Sequence, residues 1–301
     1  MNVTFRQLQL FRSLVSTGSI SGAAKEANIA QPTASVHLRD LSEAVGMPLY
    51  EVIGRKVFLT QAGRELAKAA RGVQVEWEAF EQNIQALQGC ERGLLKVAMV
   101  NAAQYFVPRL LGAFCATRPQ VEVSIALLNR DGIVERLRQN EDDLFIMSRP
   151  PQDLSLSATA FMSNPLVVIA PRDHELTRRA NLTVEDLRAF RFITRERGSG
   201  TRLAADDFFR ERNFQPKVRL ELGSNEAIME AVAGGMGLSI VSAHAMHNSG
   251  CRGLVTLTVV GFPLQSTWQI VHPAGRRLSP LATAFRDHLI HADLTPKLGQ
   301  S

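Results

Sequence analysis

The sequence predicts an α/β protein with an all-α N-terminal part, and three observations carry that prediction. Residues 5–45 hold three short stretches in which apolar residues recur at helical spacing. Residues 62–89 hold one much longer helical pattern. After Gly93, short apolar runs alternate with amphipathic segments, the order of a parallel sheet with right-handed crossovers.

The first helix runs over residues 5–15, with Leu8, Phe11, Leu14 and Val15 on one face, and ends at Thr17-Gly18. Between Ser19 and Arg39, two short helical patterns meet at a tight corner, Asn28-Ile29-Ala30. Ser19 or Ser21 can cap the first of them, whose Ala23, Ala24 and Ala27 form a small-residue face open to close helix approach. The second begins at Gln31-Pro32, where proline's missing N–H costs nothing in a first turn. Ala34, Leu38, Leu41 and Val45 then face inward, leaving Pro32, Val36 and Arg39 outward with Thr33 and Ser35 on the flanks. An exposed N-terminal half with Gln, Thr, Ser and Arg fits the recognition helix of a helix-turn-helix, which enters the DNA major groove. A small helical hairpin of any kind would show the same apolar pattern. Residues 51–60 alternate about Gly54 as a two-stranded wing does, with Arg55 and Lys56 at its tip in reach of a phosphate backbone. The expected DNA-facing set is Gln31, Pro32, Thr33, Ser35, Val36, His37, Arg39, Arg55 and Lys56. Residues 1–72 carry nine Lys/Arg against five Asp/Glu, a net of +4 that is compatible with DNA.

In residues 62–89, Leu66, Ala70, Val73, Trp77, Phe80, Ile84 and Leu87 follow at spacings of 4, 3, 4, 3, 4 and 3, which is a coiled-coil seam. Such a helix is roughly 40 Å long. Trp77 and Phe80 have no partner within it, and a second copy of the chain is the simplest one; the alternative is a helix lying flat on its own C-terminal part. Leu66, Val73, Trp77, Phe80, Ile84 and Leu87 are the expected dimerisation residues.

The run of Ala23-Ala24, Gln31-Pro32, Ser35, Leu41, Val45-Gly46, Leu49-Tyr50, Arg55-Lys56 and Leu59-Thr60-Gln61-Ala62-Gly63 resembles the N-terminal domain of the LysR-type transcriptional regulators. The resemblance implies a winged helix-turn-helix over residues 1–61, a linker helix over 62–92, and an effector-binding domain over 93–301. It also implies a homotetramer of paired dimers, promoter or operator DNA as partner, and RNA polymerase as a further one. Val52 stands where the family usually has arginine, and Ser42 where glutamate is common. The lost arginine shifts phosphate contacts towards Arg55 and Lys56.

At 301 residues and 45% hydrophobic content, the chain can bury more than one core. No apolar run approaches the length that crosses a bilayer. Arg6 and Arg12 interrupt the N-terminus where a secretory signal would be apolar, so the expected location is cytoplasmic, away from membranes. Cys90, Cys115 and Cys251 are odd in number and far apart, which suits a reducing compartment. A net charge of +5 favours an anionic partner.

The C-terminal two thirds read as strands at 94–100, 121–128, 144–147, 166–170, 192–194, 218–222, 238–241 and 267–271. Helices are expected at 106–117, 132–139, near 184–188, and at 202–212, 226–233 and 280–290. Two α/β lobes with a late return strand resemble the periplasmic-binding-protein-like fold of LysR-type effector domains. Lobe 1 is expected at about 93–162 and 266–301, and lobe 2 at about 163–265. In such sheets ligands sit beyond strand ends, where helix N-termini offer free N–H groups. Asn101, Ala102, Asn129, Arg149, Arg195, Gly198, Ser199, Gly200, Thr201, Arg202, Ser224 and Asn225 stand at such places and together describe an anion-binding cleft. Gly/Ser segments of this kind also occur as ordinary helix caps.

Ser148-Arg149-Pro150-Pro151, Gly198-Ser199-Gly200-Thr201-Arg202, Gly223-Ser224-Asn225-Glu226, Gly235-Met236-Gly237 and Arg277-Leu278-Ser279-Pro280 resemble the LysR-type branch that regulates carbon-dioxide-fixation (Calvin cycle) operons. That resemblance implies a small anionic effector, such as a phosphorylated metabolite, and no cofactor. Asn101-Ala102-Ala103 stands where the branch usually offers serine or threonine.

An enzyme finds little support. There is no Gly-x-Ser-x-Gly elbow, and Gly234-Gly235-Met236-Gly237 precedes an apolar run where a dinucleotide motif would follow one. His244/His247 and His288/His291 lack cysteine or carboxylate companions, so no metal site is expected. Asp142-Asp143 reads as a solvated turn and Asp206-Asp207 as a helix face. The alternative to a regulator is a cytoplasmic solute-binding protein or enzyme on the two-lobed fold.

Overall fold

A computed structural model of the chain describes residues 2–54, 56–87, 92–248, 250 and 252–292. Two compact units divide between Ile84 and Gln85.

In the first unit, α1 (Phe5–Thr17) opens on Thr4, which forms a capping box with Gln7, and closes on Gly18 in the left-handed region. The cap of α2 (Ile20–Glu26) is Ser19, whose Oγ accepts the Gly22 N–H at 3.1 Å. Asn28, at φ 52°, turns the corner into α3 (Gln31–Val45), and Pro32 lies in its first turn. Leu10, Phe11, Leu14, Ala23, Ala24, Ala34, Leu38, Leu41 and Leu49 form the core. Val15, expected inside, is exposed. β1 (Tyr50–Ile53) and β2 (Lys56–Leu59) pair antiparallel as the wing, with Tyr50 opposite Leu59.

α4 (Gln61–Leu87) is the long linker helix. It passes so close to Leu49, between α3 and β1, that a Cβ on Gly63 would lie 1.9 Å from the Leu49 carbonyl oxygen, which only glycine permits. The seam divides in two. Ala70 is buried, and Leu66, expected in the seam, also packs on the core of its own unit. Val73, Trp77, Phe80 and Ile84 are exposed by 44, 47, 51 and 39%. Trp77 stands between Phe5 and Phe80, ring centroids 5.4 and 5.5 Å away. The side chain of Leu87, and all of Arg55 and Cys90, lie outside the described residues.

The second unit contains β3 (Gly93–Val100), α5 (Val107–Ala116), β4 (Val121–Leu128), α6 (Arg130–Arg138), β5 (Leu144–Met147) and β6 (Leu156–Ser163). It continues through β7 (Leu166–Pro171), β8 (Arg191–Arg195), α7 (Gly200–Glu211), β9 (Lys217–Leu222), α8 (Asn225–Ala233) and β10 (Ser239–Ser242). α9 (Ala243–Asn248), β11 (Leu254–Leu257), β12 (Thr267–Pro273) and α10 (Pro280–His291) complete it. One sheet has the order β4-β3-β5-β12-β6; β3 is parallel to β4 and β5, and the late strand β12 is antiparallel to β5 and β6. Phe114 and Phe285 fill one face under α5 and α10, and Ile133, Val134 and Leu137 of α6 fill the other. The second lobe departs from an all-parallel sheet. β8 and β9 are parallel, but β7 is flanked by β10 and β11, both antiparallel to it. Residues 184–188 form only a 3-10 turn, Glu185–Leu187. Asp142 is no solvated turn residue: it is 3% exposed and takes both Arg136 Nε and Nη2, while Asp143 accepts the Lys96 backbone N–H.

Candidate functional site

The chain passes between the two lobes twice, side by side. Asn164 N donates to Ser266 O at 2.8 Å, and Leu166 pairs with Leu264. Ser242 Oγ donates to Asn164 Oδ1 at 2.7 Å, holding that side chain in place at 2% exposure.

At this crossing the strand ends line a cavity of about 20 Å³. The end of β3 brings Asn101 and Ala102, the end of β4 brings Asn129 and Arg130, and the end of β5 brings Ser148 and Arg149. The other lobe brings Arg195 from β8, then Ser199, Gly200 and Thr201 from the start of α7. Asn164 and Trp268 complete the wall. Ser199 is the N-cap of α7 yet makes no capping bond with its side chain, so its hydroxyl and the first-turn N–H groups remain available to an anion.

The charges here are held, not loose. Arg195 is 5% exposed; its Nε and Nη2 meet Glu196 at 2.8 and 2.9 Å, and its Nη1 donates to Asn225 Oδ1 at 2.9 Å. Arg130 Nε donates to the Arg149 carbonyl at 2.9 Å. Arg149 reaches across to Asp207 of α7 at 2.6 Å, and that hydrogen bond holds the Asp207 carboxyl below the usual carboxylate range. A second contact spans the lobes at Glu226, whose Oε1 accepts from Gln104 Nε2 at 3.1 Å and Tyr105 OH at 2.7 Å. Burial, then the hydrogen bond to Glu226, pushes the Tyr105 phenol up. Burial works against ionisation of Glu226, but bonds from Ser224 and Tyr105 outweigh it and hold that carboxyl low. Gly198, at φ +83°, lets α7 approach α6: a Cβ there would stand 2.5 Å from Asp131 Oδ2.

Eight of the twelve residues expected in the cleft line this cavity, and four do not. Arg202 turns away to Asp206 (2.8 Å) and Glu221 (3.2 Å) and lines a separate recess. Ser224 accepts the Ala227 N–H as the cap of α8 and donates to Glu226. Asn225 is buried behind Arg195, and Gly198 serves the approach to Asp131. Arg130, read from the sequence with Asn129 as one strand-end pair, lines the cavity too, and Ser148, Asn164 and Trp268 were missed as lining residues. Ser148 adjoins an expected residue in the same strand-end turn; the other two come from the crossings, which carry no local motif.

In the first unit Gln31, Pro32, Thr33, Val36 and Arg39 are exposed, and Ser35 is half-buried. Arg39 lies 3.9 Å from Glu43, one turn on. His37 is half-buried and lines a different recess, of about 420 Å³, with Arg6 and Arg12 of α1 and Arg71 of α4. Lys56 is exposed at the start of β2, beside Gly54 at φ 67°.

Residues 5–64 match the bacterial regulatory helix-turn-helix protein family of the lysR type, and residues 88–293 match the LysR substrate binding domain. The chain belongs to the LysR family of transcriptional regulators. It is 43% identical over 301 residues to a RuBisCO operon transcriptional regulator of Acidithiobacillus ferrooxidans, covering 100% of this chain and 97% of the relative. It is 40% identical over 300 residues to the HTH-type transcriptional activator CmpR of Synechocystis, covering 99% of each. These relatives are regulators of transcription, not enzymes, and they belong to the branch whose motifs the sequence carries. The regulatory domain of Synechocystis CcmR in complex with 2-PG is 44% identical, covering 66% of this chain and 96% of that one, at a TM-score of 0.64. Full-length CbnR complexed with its target DNA shares the fold at 22% identity and a TM-score of 0.68, covering 95% of this chain and 99% of that one. No helix among the described residues is long and apolar enough to cross a membrane.

Proposed function

We propose that this regulator controls carbon-dioxide-fixation genes from their promoters and is switched by a small phosphorylated acid bound between its lobes. The cavity at the lobe crossing carries the proposal: Arg130, Arg149 and Arg195 bring positive charge, and Ser148, Ser199 and Thr201 bring hydroxyls, around the open N-terminus of α7. The CcmR domain in complex with 2-PG (2-phosphoglycolate) supports this ligand class. Gln31, Thr33 and Ser35 meet base edges or adjacent phosphates, while Arg39, Arg55 and Lys56 meet phosphates. The exposed stripe Val73, Trp77, Phe80 and Ile84 is covered by α4 of a second copy, and two such dimers pair as a tetramer. The site of action is the cytoplasm, where promoter DNA and its RNA polymerase are.

Binding of the chain to the DNA upstream of its own gene, measured by gel shift and footprinting with and without 2-phosphoglycolate, tests the proposal. The expected result is a specific complex whose footprint or affinity changes with the ligand. A complex indifferent to every phosphorylated acid tried would refute the switch; no specific complex would refute promoter control.

A further inference from the structure

Trp268 sits on β12, an interior strand of the five-stranded sheet, and is 1% exposed. Its ring packs on Phe106, centroids 5.2 Å apart, and Phe106 in turn meets Phe161 of β6 at 6.3 Å and, in the other lobe, His244 at 5.6 Å. For packing alone a phenylalanine would serve, because indole adds an N–H that must find an acceptor when buried. Yet Trp268 Nε1 has no hydrogen-bond partner among the described residues. The backbone around it is also irregular. The register of β12 against β6 shifts between Trp268 and Gln269, from Trp268 opposite Met162 to Gln269 opposite Ala160. The extra residue is Phe161 of β6, opposite the step from Trp268 to Gln269, and bulges concentrate beside binding sites. Trp268 lines the same cavity as Arg130, Arg149, Arg195 and Thr201.

We infer that the Trp268 indole N–H is a ligand-binding donor, giving its hydrogen bond to an oxygen of the acidic effector. This rests on the reading of the cavity as the effector site and adds to it a residue of different chemistry. The arginines supply charge, which any small oxyanion satisfies. A neutral donor on a ring clamped by Phe106 fixes where one oxygen must lie, and so separates acids of equal charge by shape.

The test uses full-length protein labelled with ¹⁵N-tryptophan, which has two indole resonances because the chain has two tryptophans, Trp77 and Trp268. Calorimetry and indole spectra are recorded as 2-phosphoglycolate is added, with inorganic phosphate as the second probe. The expected result is a downfield displacement of the Trp268 resonance at saturation, with a smaller one for phosphate. Trp268→Phe should bind 2-phosphoglycolate roughly tenfold more weakly, as for one lost hydrogen bond to an ionised acceptor. Should Trp268→Phe not fold, Trp77→Phe assigns the resonances and the displacement alone decides. Wild-type binding with an unmoved Trp268 resonance, or a Trp268→Phe variant with wild-type affinity, overturns the inference and leaves the cleft reading intact. Wild-type protein that binds neither probe overturns both.

Discussion

Replacing Thr201 with valine isolates what the start of α7 contributes to the effector. Thr201 is 8% exposed, the second residue of its helix, and part of the cavity wall. Valine keeps the branched shape and removes only the hydroxyl, so the backbone N–H groups and the helix start are preserved. A hydroxyl bonded to a charged acceptor is worth about 1.5–3 kcal/mol when lost. Thr201 keeps slight access to solvent, which places the loss at the lower end, about 1.5–2 kcal/mol, or roughly 10- to 30-fold in Kd. The helix itself should lose only a few tenths of a kcal/mol, because threonine and valine have similar propensity. Calorimetry with 2-phosphoglycolate on both proteins reads the affinity, and thermal melts confirm that stability is unchanged. DNA affinity without effector should not move. Equal ligand affinities in two equally stable proteins would remove the Thr201 hydroxyl from the site.

Trp77→Glu places a carboxylate in the exposed stripe of α4. Light scattering should show the assembled species reduced towards the 33.1 kDa chain mass, with specific DNA binding lost alongside; an unchanged oligomer would eliminate the stripe as the interface. Lys56→Ala should weaken binding to all DNA sequences alike and flatten the log–log salt dependence by about one unit, whereas altered sequence preference at constant slope would place Lys56 on a base. Burial holds the His174 imidazole below its usual range, and its Nδ1 accepts the Leu176 N–H at 3.3 Å. The folded state therefore favours the neutral ring, and the stability His174 contributes is whole above about pH 6.5 and declines as pH falls below it. His174→Asn keeps an acceptor that does not titrate, so its melting temperature should fall less steeply between about pH 6.5 and 5; parallel curves would show that His174 has no part in the decline.

The elements that could be read from sequence are those whose chemistry is local. In the first unit α1 announces itself through its apolar face and Gly18, α2 through Ser19 and α3 through Pro32, and β4 and β5 fall where their apolar runs stand. β6 passed unseen because the alternation of Leu156–Ser163 breaks at Phe161-Met162, and it becomes a strand by pairing with β12, more than a hundred residues later. β11 and α9 are only four and six residues long, too short for a period to show. In the cleft, strand-end position located most of the cavity wall, but it could not decide where an arginine points. Arg195 and Arg202 look alike in sequence; one is fixed against the cavity by Glu196 and Asn225, and the other is drawn off by Asp206 and Glu221. Those choices rest on partners distant in the chain, as does the division of the α4 seam between Leu66 and Trp77.

Two polar contacts span the lobes beside the cavity of about 20 Å³, Arg149 with Asp207 and Glu226 with Gln104 and Tyr105. Sites for small metabolites run from about 300 Å³ upward. A ligand of that size therefore needs the lobes to part, and the contacts that hold them bear on how readily they do. As ligand concentration rises, the observed association rate should climb and then level at the opening rate, well under the diffusional limit. The lobes that part to admit a molecule must part as far to release it. Under the proposed switch, the regulator's response should follow the metabolite level averaged over the time bound, with brief fluctuations not reaching the DNA.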